Sequence, residues 1–335
     1  MKKNAKTYVR KFNQQHGAEK NLSIVALSLL SFEDGKLVLG GEVLREKTLS
    51  DFRQEAFAEL EGVQEVDTSA VRVLLTGETE VYRVAKNITS MHADASFLSE
   101  MTTQIFYGDE VAVIRDEGDW VYGCNLRDGY LSYAYKKYLE TFTLPPATHI
   151  VSAPSALVYA ASSGDDILTR VLAGTYTSIL DESGGRALIY APEIGWVEKE
   201  ALRAVDDFPK PGNALRRDLC ESAWKLIGVP YLWGGSSAFG IDCSGLVQLV
   251  YRCAGIELRR DAHMQFEQGR KIKHPFVAGD ALFFGDEKGA IDHVGMSLGG
   301  WKIIHSSRAK NGVYIDDVLS VPHLRDSFIG AARLA

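Results

Sequence analysis

Cys243 lies in the run Gly240-Ile241-Asp242-Cys243-Ser244-Gly245, just ahead of apolar residues at 246, 247, 249 and 250. That spacing predicts a helix beginning at the cysteine, with Asp242 as its N-cap. Unpaired amides and the macrodipole at such a position favour an anion, so the expectation is a thiol tilted toward thiolate, the nucleophilic form. A lone cysteine there is more often a small buried apolar group. A nucleophile needs a base, and the base needs a group to orient it.

Two histidines meet that need. Asp292-His293-Val294-Gly295-Met296-Ser297-Leu298 alternates, which predicts a strand with His293, Gly295 and Ser297 on one face and Val294, Met296 and Leu298 on the other. Trp301 to Ser307 predicts a second strand, which carries His305. The numbers 293 and 305 give an even sum. A two-residue turn at Gly299-Gly300 would pair residues of odd sum and put the histidines on opposite faces. A line from Cys243 through His293 to His305 therefore requires an odd loop, Leu298-Gly299-Gly300, or a glycine bulge.

Four units are expected to position these groups. Residues 1–77 read as a small α+β unit: a hairpin over 21–44 turning at Asp34-Gly35, a helix after Ser50 or Asp51 carrying Phe52, Ala56, Phe57 and Leu60, and a short strand at 71–75. Residues 78–144 and 145–208 read as two series of short strands, alike in length and order, which suggests a distant tandem repeat of small barrels. Pro145-Pro146 separates them. Phe208-Pro209-Lys210-Pro211-Gly212-Asn213 ends the second, and the cysteine-bearing domain spans 213–335, opening with a helix over 214–227. The fold class is multidomain α+β.

Four motifs in this order, Tyr231-Leu232-Trp233-Gly234-Gly235, Gly240 to Val247, Gly279-Asp280-Ala281-Leu282-Phe283-Phe284-Gly285 and Asp292 to Met296, resemble the NlpC-type cell-wall peptidases. The segments Asp119-Trp120-Val121-Tyr122, Asp128-Gly129-Tyr130 and Gly195-Trp196-Val197 resemble bacterial SH3-like domains. The resemblance implies a papain-like catalytic domain in which Cys243 attacks, His293 is the base and His305 orients it. Tyr231 and the cysteine amide would form the oxyanion hole. It implies no metal and no cofactor.

Two SH3-like barrels ahead of such a domain are similar to the γ-D-glutamyl-L-diamino acid endopeptidases, which cleave murein peptides bearing a free N-terminal L-Ala. The resemblance implies that Asp242, Glu100 and Tyr130 hold the ammonium, with Ser244 and Trp233 also at the substrate. Arg260-Asp261-Ala262-His263 departs from the family's common Arg-Asp-Ser: Ala262 lacks a substrate-contacting hydroxyl, for which His263 or water would have to compensate. The alternatives are a relative cutting another wall bond, such as a crosslink or the glycan-to-stem amide, and a non-catalytic wall-binding protein.

Composition narrows the classes. Of 335 residues, 46% are apolar and 24% charged, values of a folded globular chain. A net charge of −7 with scattered Lys and Arg argues against nucleic-acid binding. The run from Leu22 to Phe32 is too short to span a bilayer, which takes about 20 residues. It continues into Glu33-Asp34-Gly35 without a small-residue cleavage site, so it reads as a strand rather than a signal core. Cys124, Cys220, Cys243 and Cys253 form no CxxC pair. Positions 243 and 253 lie about 15 Å apart along one helix, too far for a disulfide. A monomer is expected.

Overall fold

The computed structural model describes residues 2–335. No element is expected from the sequence over residues 2–16, yet they form α1 (Lys2–His16). Its buried residues Ala5, Tyr8, Val9 and Phe12 recur at helical spacing. The hairpin is as expected: β1 (Val25–Glu33) and β2 (Lys36–Val43) pair antiparallel. Asp34 and Gly35 both take positive φ (49° and 79°), the backbone of a tight primed turn. Helix α2 (Glu46–Glu59) starts before the expected Ser50 or Asp51 cap and has no side-chain cap, because burial of Leu49, Phe52 and Ala56 sets its extent. Phe57 faces solvent. β3 (Glu65–Val73) is longer than the strand expected at 71–75 and runs parallel to β2.

Strands Val81–Val84, Ile88–His92, Met101–Phe106, Glu110–Glu117, Trp120–Asn125, Leu131–Tyr135 and Leu139–Glu140 form one seven-stranded sheet, the SH3-like unit. Residues 149–204 contribute a three-stranded and a five-stranded sheet. The C-terminal part packs α3 (Asn213–Trp224), α4 (Cys243–Arg252) and α5 (Ala262–Gln268) against a six-stranded sheet. Its strands are β4 (Arg270–Ile272), β5 (Ala281–Gly285), β6 (Ile291–Ser297), β7 (Lys302–Ser307), β8 (Gly312–Asp317) and β9 (Phe328–Arg333), in the order β4-β9-β5-β6-β7-β8. Leu246, Val247 and Val250 of α4 share a core with Phe283, Val294, Met296 and Ile304 of the sheet. That packing fixes the cysteine at the helix start against the histidine strands.

The units are tied together near the cysteine. Buried Arg252 on α4 donates from Nη2 to Asp109 Oδ1 at 2.8 Å and from Nε to the Gly174 carbonyl, one contact to each β unit. The loop carrying Tyr231 lies against the SH3-like unit, where a Cβ at Gly234 would stand 2.3 Å from the Met101 carbonyl oxygen. Only glycine fits there, and its φ of +73° also favours glycine. Ile24 and Leu44 of the N-terminal unit pack with Ala112, Cys124 and Leu131. Among the described residues no helix is long and apolar enough to cross a membrane. All four cysteines are free thiols.

Candidate active site

Asp242 caps α4 as expected, its Oδ1 accepting the Gly245 N–H at 2.7 Å. Gly245 allows the helix start to lie against the Tyr231 loop, since a Cβ there would be 2.2 Å from the Gly235 carbonyl oxygen. The Cys243 sulphur is 4.0 Å from the Asp292 carbonyl oxygen, and the backbone N–H groups of Ser244 and Val294 point at it. The thiol therefore sits beside the segment that carries His293.

On β6 and β7 the pairs are Met296 with Ile304 and Ser297 with Ile303. Their even sums bring His293 and His305 to one face, as the line requires. His293 Nε2 and His305 Nδ1 are 2.8 Å apart. His305 is fully buried, and its Nε2 faces Asp316 Oδ2 at 3.4 Å, a long contact on a nitrogen that has no hydrogen-bond partner among the described residues. β7 and β8 pair His305 with Tyr314, so Asp316, two residues on, lies on the same face as a diagonal neighbour. A carboxylate opposite His305 Nε2 favours the proton on that nitrogen, leaving Nδ1 to accept from His293 Nε2–H. The unprotonated nitrogen of His293 is then Nδ1, the one not engaged by His305.

The expected tilt toward thiolate meets an opposing effect. Burial pushes the Cys243 thiol up to about 12, and the neighbouring Asp242 carboxylate adds to this, against the Val294 and Ser244 amides. Burial likewise holds His293 down to about 3, aided by His305 and His323, and His305 down to about 4 against the pull of Asp316. Both directions favour the neutral forms, thiol and imidazole. The helix terminus is outweighed because removing a charge from water costs more than the dipole returns. Such a pair delivers its nucleophile by proton transfer during attack.

Tyr231 is half-buried beside Cys243. Burial raises its pKa, followed by the charges of Cys243 and Asp242, so it stays a phenol able to donate. The Arg308 guanidinium lies over the rings of Tyr231 and Trp233, at 5.5 and 5.1 Å.

A cavity of about 390 Å³ opens from Cys243 and is lined in part by Glu100, Tyr130, Trp233, Asp242, Ser244 and Asp261. Trp233 Nε1 donates to Glu100 Oε1 at 2.5 Å, and the buried Tyr130 hydroxyl donates to Asp261 Oδ2 at 3.1 Å. Two of the expected ligands are engaged within the protein. Asp242 borders the cavity, but its oxygens are already occupied by the Gly245 and Gly234 amides, the Ser244 hydroxyl and two nitrogens of buried Arg260. Ser244 Oγ also accepts from Arg260 Nη1 at 2.8 Å. Both residues line the cavity with their side-chain oxygens hydrogen-bonded to the protein. The carboxylate aimed at the cavity beside Tyr130 is Asp261, to which the sequence reading gave no role. Burial raises its pKa, while Arg260 and the Tyr130 hydroxyl pull it back. Its only sequence signal was its place in Arg260-Asp261-Ala262-His263. No cluster of described residues has the makeup of a metal site.

Residues 228–333 match the model of the NlpC/P60 family, and residues 91–137 match that of the bacterial dipeptidyl-peptidase SH3 domain. A Bacillus cereus protein named gamma-D-glutamyl-L-lysine dipeptidyl-peptidase is 31% identical over 256 residues, covering 70% of this chain and 75% of that one. A Bacillus subtilis protein of the same name is 31% identical over 229 residues, covering 64% of this chain and 74% of that one. The crystal structure of an NlpC/P60 family protein from Bacillus cereus shares the fold at a TM-score of 0.67 and 23% identity, over 76% of this chain and 99% of that one. A buried thiol beside the strand whose histidine meets a second one, on a chain with relatives of this kind across most of its length, leads to one assignment: it belongs to the NlpC/P60 family of cell-wall cysteine peptidases.

Proposed function

We propose that this chain is a cysteine endopeptidase that hydrolyses the bond between γ-D-Glu and the diamino acid, diaminopimelate or Lys, in short murein peptides with a free N-terminal L-Ala. The observation that carries this reading is the cavity leading from Cys243 to an acidic, aromatic end made by Glu100, Tyr130 and Asp261. A half-buried carboxylate hydrogen-bonded to a tyrosine hydroxyl, with a second, exposed carboxylate at the same end, suits an ammonium, which needs both charge and hydrogen-bond acceptors. The names of the Bacillus relatives support the same bond.

In this reading the Cys243 thiol passes its proton to His293 Nδ1 as the sulphur attacks the γ-carbonyl carbon. The oxyanion takes hydrogen bonds from the Tyr231 hydroxyl and the Cys243 amide, donors typically worth about 3 kcal/mol each. The imidazolium returns the proton to the departing amine of the diamino acid. A thioester remains. Water, deprotonated by His293, releases L-Ala-γ-D-Glu and restores the thiol. His305 and Asp316 hold the imidazole in the tautomer that keeps Nδ1 free. The unit boundaries 1–77, 78–144, 145–208 and 213–335 fit a catalytic domain whose substrate end is closed by the first barrel, acting as a monomer.

Digestion of L-Ala-γ-D-Glu-diaminopimelate with and without an N-acetyl block tests the reading. Cleavage of the free-amine form alone is expected. Equal rates on both forms would defeat the amine site, and release of an intact stem peptide from glycan would favour a different bond.

A further inference from the structure

The N-terminal unit reaches the substrate cavity. Asn21, in the loop between α1 and β1, lines it together with Cys243, Tyr130 and Asp261. The Asn21 carbonyl accepts the Leu131 N–H at 2.7 Å, and its Nδ2 donates to the Leu131 carbonyl at 3.2 Å. The residue is thereby pinned next to Tyr130. From the same loop, Glu19 Oε2 meets His263 Nε2 at 2.9 Å. His263 is on α5, also lines the cavity, and is close enough to Asp261 to lower that carboxyl's pKa. Both contacts from the loop therefore converge on the Tyr130 and Asp261 end.

We propose that the N-terminal unit is a specificity element: Asn21, with His263 held by Glu19, walls the amine-binding end of the cavity and restricts the first residue of the substrate to a small side chain. This rests on the reading of that end as the site of a free N-terminal amine. The cavity, about 390 Å³, is toward the small end of small-molecule sites, and Asn21 and His263 line it beside Tyr130 and Asp261. The wall resists displacement, because both sides are hydrogen-bonded to other units. A large apolar side chain would press on the Asn21 amide and on the Glu19–His263 pair, stripping water from them without offering hydrogen bonds in return. The methyl of alanine would not.

The test compares kcat/KM for two free-amine peptides, L-Ala-γ-D-Glu-diaminopimelate and its L-Phe counterpart, in the wild type, Asn21→Ala and Glu19→Ala. The wild type is expected to prefer alanine by about 10- to 100-fold, within the range a pocket wall imposes on an oversized group. Each variant is expected to reduce that preference at least about fivefold by gaining on the phenylalanine peptide. Glu19→Ala keeps both Asn21–Leu131 bonds and removes the acceptor for His263, so it decides the matter if Asn21→Ala does not fold. A wild type without preference, or a preference unchanged within about twofold in the folded variants, would overturn the wall. A wild type that releases no diaminopimelate from the alanine peptide would instead sink the peptidase reading beneath it.

Discussion

His293 Nε2 lies 2.8 Å from His305 Nδ1, and the next contact outward, from His305 Nε2 to Asp316, is 3.4 Å. Each member of this row fixes the tautomer of the one before it, so an effect on the base is expected from residues that never touch substrate. His305→Ala should lower kcat about 100-fold or more with little change in KM, because the wrong imidazole tautomer cannot take the thiol proton. Steady-state kinetics on the tripeptide check this; an equal loss in both parameters would point to a collapsed site instead.

Asp316 acts one step further away. Asp316→Ala should lower kcat about tenfold and leave KM near its original value. An unchanged kcat would show that burial alone sets the tautomer of His305.

Asp261→Asn should reduce kcat/KM on the free-amine peptide about 100-fold, since it leaves a desolvated ammonium short of a charge partner. The wild-type acid limb for this substrate should also move, because Asp261 must be ionised to hold the amine and burial raises its pKa. A pH profile identical in wild type and variant would contradict the assignment.

Asp242→Ala should destabilise the fold by about 3 kcal/mol or more, since it strands buried Arg260 without its carboxylate. Denaturant unfolding measures this. A loss confined to KM, with stability intact, would restore Asp242 as a substrate ligand.

The buried imidazoles make stability depend on acid. The ordinary imidazole pKa of 6.5 applies to the unfolded chain, while burial lowers His293 to about 3 and His305 to about 4 in the fold. Between those values the unfolded state binds protons that the native state does not. Stability should therefore fall as pH drops through 6.5, by about 1.4 kcal/mol per pH unit for each imidazole until its native pKa is reached. Above 6.5 the two groups contribute no slope. Unfolding midpoints from pH 7 down to 4 should flatten in His293→Gln/His305→Gln.

What the sequence made legible was local. The cap at Asp242, the helix at Cys243 and the alternation around His293 each depend on neighbours within a few positions. The parity condition on the hairpin is met, since Ser297 pairs with Ile303, but through the loop Gly299-Gly300-Trp301 rather than the expected Leu298-Gly299-Gly300. Asp261 and Asp316 were not legible, because each gains its role from a partner on another element, Tyr130 across a unit boundary and His305 across a strand. Helix α1 was hidden by its polar average, although Ala5, Tyr8, Val9 and Phe12 carry the helical period. The thiolate expectation left out burial: a helix terminus contributes up to about 2 kcal/mol, and burial raises the Cys243 thiol's pKa against it.

The most direct measurement is mass analysis of L-Ala-γ-D-Glu-diaminopimelate after incubation with the wild type and with Cys243→Ala. Expected are L-Ala-γ-D-Glu and free diaminopimelate from the wild type, and intact tripeptide from the variant. Product formation by Cys243→Ala at the wild-type rate, or a wild-type cut at any other bond, would contradict a Cys243 nucleophile aimed at the γ-D-glutamyl bond.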